Sequence, residues 1–324
     1  MRIIEINENE SGQRLDRFLK KYLKAAPLSL IYRMIRKDVK VNGKRVSQDT
    51  MINNGDKIAL YIADDKLNRF VRQVKKTKAK KEFEVIYEDR DILIVNKPYG
   101  LLTHGDQKEK KNTLSNQVQG YLAQETGNGS TDRGTFSPAP ANRLDRNTSG
   151  LVLFGKSFPG LQELNRLLRQ KNAVEKYYLS IVSGSLQKEL VLRDKMIKDE
   201  TNNKVQVLPE DSQEGRIMET IAKPISGNTD YTLVEILLIT GRTHQIRAHL
   251  AKAGYPIIGD KKYGNSQKNV IMLNKFGLKS QFLHAYKLFF NEAEGKLGYL
   301  KGRGFECPLP ERLQKIGEGL NVIK

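Results

Sequence analysis

The sequence predicts an α+β protein in two parts, a small α/β N-terminal unit and a mixed, mainly antiparallel β-sheet domain with inserted helices. Three observations predict it. Residues 12–62 carry two basic helical stripes and then an alternating segment around Asn42-Gly43. Residues 66–81 hold eight Lys or Arg and no acid. From residue 82 strand patterns take over, with helices inserted irregularly rather than in βαβ alternation. The boundaries expected are therefore 1–65, a basic linker 66–81, and 82–324, and a chain of 324 residues is long enough for about two domains.

The elements follow in order. Leu15, Phe18, Leu19, Tyr22 and Leu23 recur at helical spacing, with Arg14, Arg17, Lys20, Lys21 and Lys24 on the other positions. Pro27 breaks that helix. Ser29 is the expected N-cap of a second, holding Ile31, Met34 and Ile35, with Arg33, Arg36 and Lys37 outward. Val39–Val46 alternates around Asn42-Gly43, a hairpin signal, and includes Lys40. Gly55-Asp56 turns into a strand over Lys57–Ile62. Like charges should keep 66–81 extended.

In the second part, Phe83, Val85 and Tyr87 alternate, and Ile92–Val95 is a strand ending at Lys97-Pro98. A short helix is expected near Leu114–Leu122 within a loop-rich stretch, residues 106–138. Leu151–Phe154 is a buried type of strand, and Ser157 caps a helix with Leu161, Leu164 and Leu168 on one face. Tyr178–Val182 and Tyr231–Ile239 read as strands, and Thr243–Ala253 as a helix with Ile246 and Leu250 inward.

Composition narrows the function. There are 56 Lys+Arg against 37 Asp+Glu, a formal net charge of +19. Such a surplus concentrates polyanions near the surface, nucleic acid above all. No basic amphipathic helix at a terminus supports a membrane surface instead. Cys307 is the only cysteine, which excludes an internal disulfide or a multi-cysteine zinc site and suits a reducing cytoplasm. The N-terminus lacks the apolar core of a signal peptide, and no stretch is long enough to span a bilayer.

Two formal motifs fail on inspection. Gly150 to Ser157 satisfies the phosphate-loop spacing, but its four middle residues are large and apolar and belong to a strand. His244 and His249 are five apart, off the spacing that puts two imidazoles on one helix face, so all four histidines are expected to be structural. Asp145 is different. It lies between Arg143 and Arg146, before Thr148-Ser149-Gly150, a lone acid flanked by cations; alone, it reads equally as a surface ion pair.

Its setting resembles a family. Asp89–Gly100, Arg143–Lys156, Lys176-Tyr177-Tyr178, Gly241–Leu250 with its continuation to Asp260, Tyr263-Gly264, and Leu283–Ala285 match, in order, the motifs of the RluA-type pseudouridine synthases. Residues 12–62 resemble the RNA-binding domain named after ribosomal protein S-four. There Ser29-Leu30 replaces the usual Ser-Arg, and Asp38 replaces a Gly. Asn142 stands where the synthase motif usually has His.

The resemblance implies an enzyme that turns uridine into pseudouridine in large-subunit ribosomal RNA. Transfer RNA, or a non-catalytic RNA-binding or ribosome-assembly factor on the same fold, are the alternatives. Asp145 is implied as the carboxylate that attacks the sugar or abstracts a sugar proton. Arg247 would hold it bidentately and keep it ionised, and Tyr178 would stack on uracil, its hydroxyl a candidate acceptor for the carbon-five proton. Ile246 would floor the base and Arg143 hold the strand from which the uridine is flipped. Arg242 and Lys97 would be loop or phosphate contacts, and Ser149 and Gly150 would shape the turn aiming Asp145. Arg33, Arg36, Lys37 and Lys40 would contact RNA from the N-terminal domain. An isomerisation changes no oxidation state, so no cofactor and no metal are expected. Neither is a membrane partner, and a monomer is expected.

Overall fold

The computed structural model describes residues 1–71, 80–125, 135–199 and 204–323. The N-terminal residues form β1 (Arg2–Glu5), β2 (Gln13–Arg14), α1 (Leu15–Tyr22), α2 (Leu28–Asp38), β3 (Val39–Val41), β4 (Met51–Ile52), β5 (Lys57–Leu60) and α3 (Asp64–Phe70). A three-stranded sheet runs β1-β5-β3, beside a short β2-β4 pair. The apolar stripes of α1 and α2 meet over it. Phe18, Leu19, Ile31, Ile35 and Ile58 form a core of their own. Arg17, Lys20, Arg33, Arg36 and Lys37 are left in water.

Three local expectations are corrected. Asn42 and Gly43 do turn with positive φ, 51° and 78°, but the return arm is a single bridge from Val41 to Lys44. β3 pairs instead with β5, which buries Val39 and Val41. The N-cap of α2 is Pro27, not Ser29, which falls inside the helix. The linker expected from residue 66 begins as helix α3, whose Leu67 is fully buried in the N-terminal core. Residues 72–79 of that stretch lie outside the described residues.

The rest of the chain adds β6 (Glu84–Glu88), β7 (Ile92–Lys97), α4 (Leu114–Glu125), β8 (Ala139–Pro140), β9 (Ser149–Gly155), α5 (Phe158–Arg169) and β10 (Val174–Ser183). There follow β11 (Leu190–Asp199), β12 (Lys204–Leu208), β13 (Arg216–Gly227), β14 (Tyr231–Leu238), α6 (Gln245–Lys252) and α7 (Ser266–Phe276). The chain closes with β15 (Leu283–Phe290), a 3-10 turn over Gly295–Leu300, β16 (Gly304–Glu306) and α8 (Glu311–Gly319). One eleven-stranded sheet has the order β12-β11-β13-β14-β10-β15-β9-β7-β6, with β16 on β15 and β8 on β9. Only the β15–β9 pair is parallel, so the sheet is mixed and mainly antiparallel.

The centre of the sheet is covered on both faces, which is why β9 reads as a continuous apolar run. Leu151 and Leu153 pack with α5 through Leu164 and Leu167, while Val152 and Phe154 pack on the opposite side with Val118, Ile181 and Phe282. Ser157 caps α5 by accepting from the Gly160 N–H at 3.0 Å. The phosphate-loop match is thus a buried strand. Gly150 serves strand contact rather than a turn. At φ 117° it lets β15 approach so closely that a Cβ would lie 2.2 Å from the Ala285 carbonyl oxygen. Ser149 is likewise in β9, bonded to His284 Nδ1 at 2.8 Å.

Candidate active site

The loop between β8 and β9 presents Asp145, and its neighbours are fastened on both sides. Thr103 Oγ1 donates to the Leu144 carbonyl at 3.0 Å and accepts from the Leu144 N–H at 3.2 Å. The Arg146 carbonyl accepts from the Gly100 N–H at 3.0 Å and from Lys97 Nζ at 3.1 Å. The Thr148 N–H closes the turn onto the Asp145 carbonyl at 3.1 Å. Asn142 also lines the cavity, and its side chain accepts from the Leu153 N–H at 2.8 Å, so it braces β9 where the family motif usually has His.

Of the two roles expected for Lys97, the structure shows the loop contact. It is fully buried, and its Nζ also donates to the Pro98 and Leu101 carbonyls at 3.0 and 2.8 Å. Burial pushes its pKa down to about 7, Asp145 pulls it back up, and three carbonyl acceptors favour the charged form.

Arg247 stands on α6, whose residues Gln245 to Leu250 are all buried. Its guanidinium splits between two acids. Nε and Nη2 hold Asp260 bidentately at 2.6 and 2.9 Å, while Nη1 donates to Asp145 Oδ2 at 2.9 Å. The fork expected for Asp145 belongs to Asp260, and Asp145 receives one arm of it. Burial alone would raise the Asp260 carboxyl; the Arg247 hydrogen bonds outweigh it and hold the group below the ordinary range. Backbone N–H groups of Lys262 and Tyr263 add to this at 2.8 and 3.2 Å. Arg247 is thus fixed by a buried acid before it reaches the partly exposed one, whose side chain is 26% exposed.

His244 joins the site, against the expectation that all histidines are structural. It is the N-cap of α6 with φ 53°, a backbone conformation uncommon outside glycine and often kept at functional positions. Its Nε2 lies 3.8 Å from Asp145 Oδ2, and its Nδ1 is 3.0 Å from the Tyr263 hydroxyl. Burial pushes its pKa down to about 4, so the ring is neutral at pH 7. The single proton belongs on Nε2, facing the carboxylate. Tyr263 already accepts from the Val205 N–H at 2.8 Å and is free to donate to Nδ1. Among the other histidines, His249 bonds Thr220 through Nδ1 at 2.9 Å while its buried Nε2 has no hydrogen bond.

Asp145, Tyr178, Arg247, Arg143, Ile246 and Arg242 all line one cavity of about 620 Å³. Tyr178 is 6% exposed; burial first, and Asp145 second, push its pKa up, so it offers a protonated phenol and a flat face rather than a base. Ile246 is buried beside it. Arg143 and Arg242 are exposed at the rim. Arg33, Arg36, Lys37 and Lys40 do not line this cavity. Sequence reasoning missed Asp260, His244, Tyr263 and Thr103 as site residues. Only the first three lay inside quoted motifs, and no spacing rule marks any of them. Among the described residues no cluster of three or more His, Cys, Asp or Glu is arranged to hold a metal ion, and no helix is long and apolar enough to cross a membrane.

A half-open pocket floored by Ile246 and Tyr178, with a carboxylate tethered to a buried arginine, on a mixed sheet, defines an enzyme class. Residues 91–252 match the family model described as RNA pseudouridylate synthase, and the chain belongs to that family. It is an isomerase that forms pseudouridine in RNA. The chain is 33% identical over 329 residues to a protein of Vibrio vulnificus named ribosomal large subunit pseudouridine synthase C, covering 100% of this chain and 98% of the relative. A Haemophilus influenzae protein of the same name is 33% identical over 323 residues, covering 98% and 96%. The fold is similar to that of human RNA pseudouridylate synthase domain containing 4, with a TM-score of 0.57, 22% identity, and coverage of 73% of this chain and 92% of that one.

Proposed function

We propose that this enzyme isomerises uridines of large-subunit ribosomal RNA, with Asp145 as its reactive carboxylate. The observation that carries the assignment is the Asp260–Arg247–Asp145 relay of hydrogen bonds, which ends on the one of its two acids that lines the cavity. The substrate class rests on two full-length relatives named for that RNA.

The reaction breaks the bond from the ribose to uracil nitrogen and forms one to carbon five, while a proton leaves carbon five and one is gained at nitrogen. Asp145 starts it by attacking the sugar or by taking a sugar proton. Arg247 and the His244 Nε2–H keep its charge facing the cavity. The detached uracil turns against the Tyr178 face over Ile246, where stacking contributes about 1–3 kcal/mol. Because Tyr178 holds its proton, its part is the stacking face. The uridine reaches the pocket by leaving its stack, a cost of a few kcal/mol offset by pocket contacts, with Arg143 at the rim to hold the vacated strand.

The N-terminal unit, including α3, serves in this reading as an RNA-binding domain of the S-four type. Its exposed Arg33, Arg36 and Lys37 meet phosphate, while Lys40 lies over the Tyr61 ring at 5.2 Å. The expected compartment is the cytoplasm.

The test is conversion of ribosomal RNA by the purified protein, read as carbodiimide-dependent primer-extension stops. Asp145→Asn should abolish the stops while RNA binding survives. Wild-type stops that persist in the variant would overturn the assignment of Asp145. Absence of stops on ribosomal RNA with conversion of transfer RNA would overturn the substrate.

A further inference from the structure

The cavity extends past the reactive carboxylate to the end of α5, where it is lined by Arg169, Lys171 and Asn172. Between the two ends, on β10, lies Lys176. Strand alternation puts it on the face of Tyr178, about 7 Å further along, and Val174, Lys176 and Tyr178 all line the cavity while Tyr177 does not.

Lys176 is a half-buried ammonium without a partner. Among the described residues its side chain makes no hydrogen bond and no ion pair. Besides Asp145, the acid in the cavity wall is Glu219, which is already engaged by Lys171 at 3.3 Å and Arg193 at 3.2 Å. Burial lowers the Lys176 pKa with no acid opposing it. By contrast, Asp145 exerts its pull on Lys97, Tyr178, His244 and Lys262. Lys176 lies about 7 Å along β10 from Tyr178, the face proposed for the base, and so one step from the bond being broken. The group it lacks is an anion one step along the bound chain.

We infer that Lys176, with the α5 end of the cavity, forms a subsite for a backbone phosphate of the RNA strand next to the flipped uridine. This rests on the reading of the cavity as the uridine site. The exposed Arg143, Arg169 and Lys171 give the phosphate a basic rim to pass, and the half-buried Lys176 offers it a cation in the wall. A single ammonium recognises charge and not sequence, so the subsite accepts any neighbouring base.

The test uses the full-length protein and a large-subunit ribosomal RNA transcript with uridine tritiated at carbon five. Affinity is titrated over a range of salt, and single-turnover tritium release is measured at saturating enzyme. Lys176→Met should lower the slope of log affinity against log salt by about 0.7–0.9, one phosphate's share, and leave the saturated rate within about threefold. Lys176→Arg should restore the slope. Without RNA, Lys176→Met should melt at the same temperature as wild type or higher, because it removes an unpaired charge. An unchanged slope in the Met variant would overturn the subsite. So would a melting temperature several degrees lower, which would reveal a partner for the amine. A rate collapse in Lys176→Arg with affinity kept would also overturn it, since the amine would then act on the base. Failure of the parent reading looks different: release of tritium would be absent from the wild type, or would survive Asp145→Asn.

Discussion

The two basic regions of this protein use charge in opposite ways. On the N-terminal helix α2 Arg33, Arg36 and Lys37 extend into water and form no ion pair among the described residues. In the cavity wall Arg247 is 6% exposed and all its arms are assigned, two to Asp260 and one to Asp145. An exposed cation attracts a polyanion at long range but is screened by salt and orients little. A buried one is screened far less and holds a neighbour in one geometry. The first kind suits binding and the second suits chemistry. Lys97 belongs with the second although it touches no acid, because three carbonyls fix it under the Asp145 loop.

The sharpest way to break this contrast is Asp260→Ala. It strands Arg247 inside the protein, and removing one partner of a buried pair costs about 3–5 kcal/mol. Urea unfolding at pH 7 should register that loss, and tritium release should fall with it. A stable variant with full activity would mean that Arg247 needs no buried anchor.

Acid should act on the body and spare the basic helices. His284 is fully buried and its pKa is pushed down to about 4, as is that of His244. The unfolded chain takes up protons below about 6.5 and the folded one does not until about 4. Stability is therefore complete above pH 6.5 and declines as pH falls toward 4, by about 3 kcal/mol from His284 alone. Urea midpoints measured across that range in wild type and His284→Gln should converge at low pH. Parallel curves would exclude His284 as the source.

Thr103→Val tests the seating of the reactive loop. It removes the hydroxyl that grips Leu144 from both sides, and leaving those backbone groups unpaired costs about 1–3 kcal/mol. The rate should fall by more than the stability predicts, since a misplacement of about 1 Å at a reacting group can cost a hundredfold. Equal losses of rate and folded fraction would reduce Thr103 to a purely structural tie.

The smallest effect on folding is expected where the largest charge is changed. Arg33, Arg36 and Lys37 together replaced by Ala should leave stability within about 0.5 kcal/mol. They should lower the salt slope of binding by about 2 with the saturated rate unchanged. An unaltered slope would remove this face from the RNA contact.

Much of this was readable before the coordinates. The helical stripes of α1 and α2, the apolar run of β9 and the cap at Ser157 are local patterns, so sequence periodicity reports them directly. The weakly patterned β11–β13 were not recognised, because that end of the sheet alternates between a thin apolar layer and water. Asp145, Tyr178, Arg247 and Ile246 were legible by resemblance to a family, and they meet in one cavity. Their partners were not. Asp260 is 13 residues from Arg247 and Thr103 is 41 from Leu144, and no period links such positions.

The sequence by itself determined the α+β class, the strand under the phosphate-loop spacing, the basic character and the family to which the chain belongs. Tertiary structure alone decided who holds whom. It gave the Arg247 fork to Asp260, drew Lys97 inward beneath the loop, turned His244 toward Asp145 and left Lys176 without a partner among the described residues. The reason is physical. Local patterning records which face of an element is dry, whereas the pairing of buried charges depends on desolvation and on distances set by loops that carry no period.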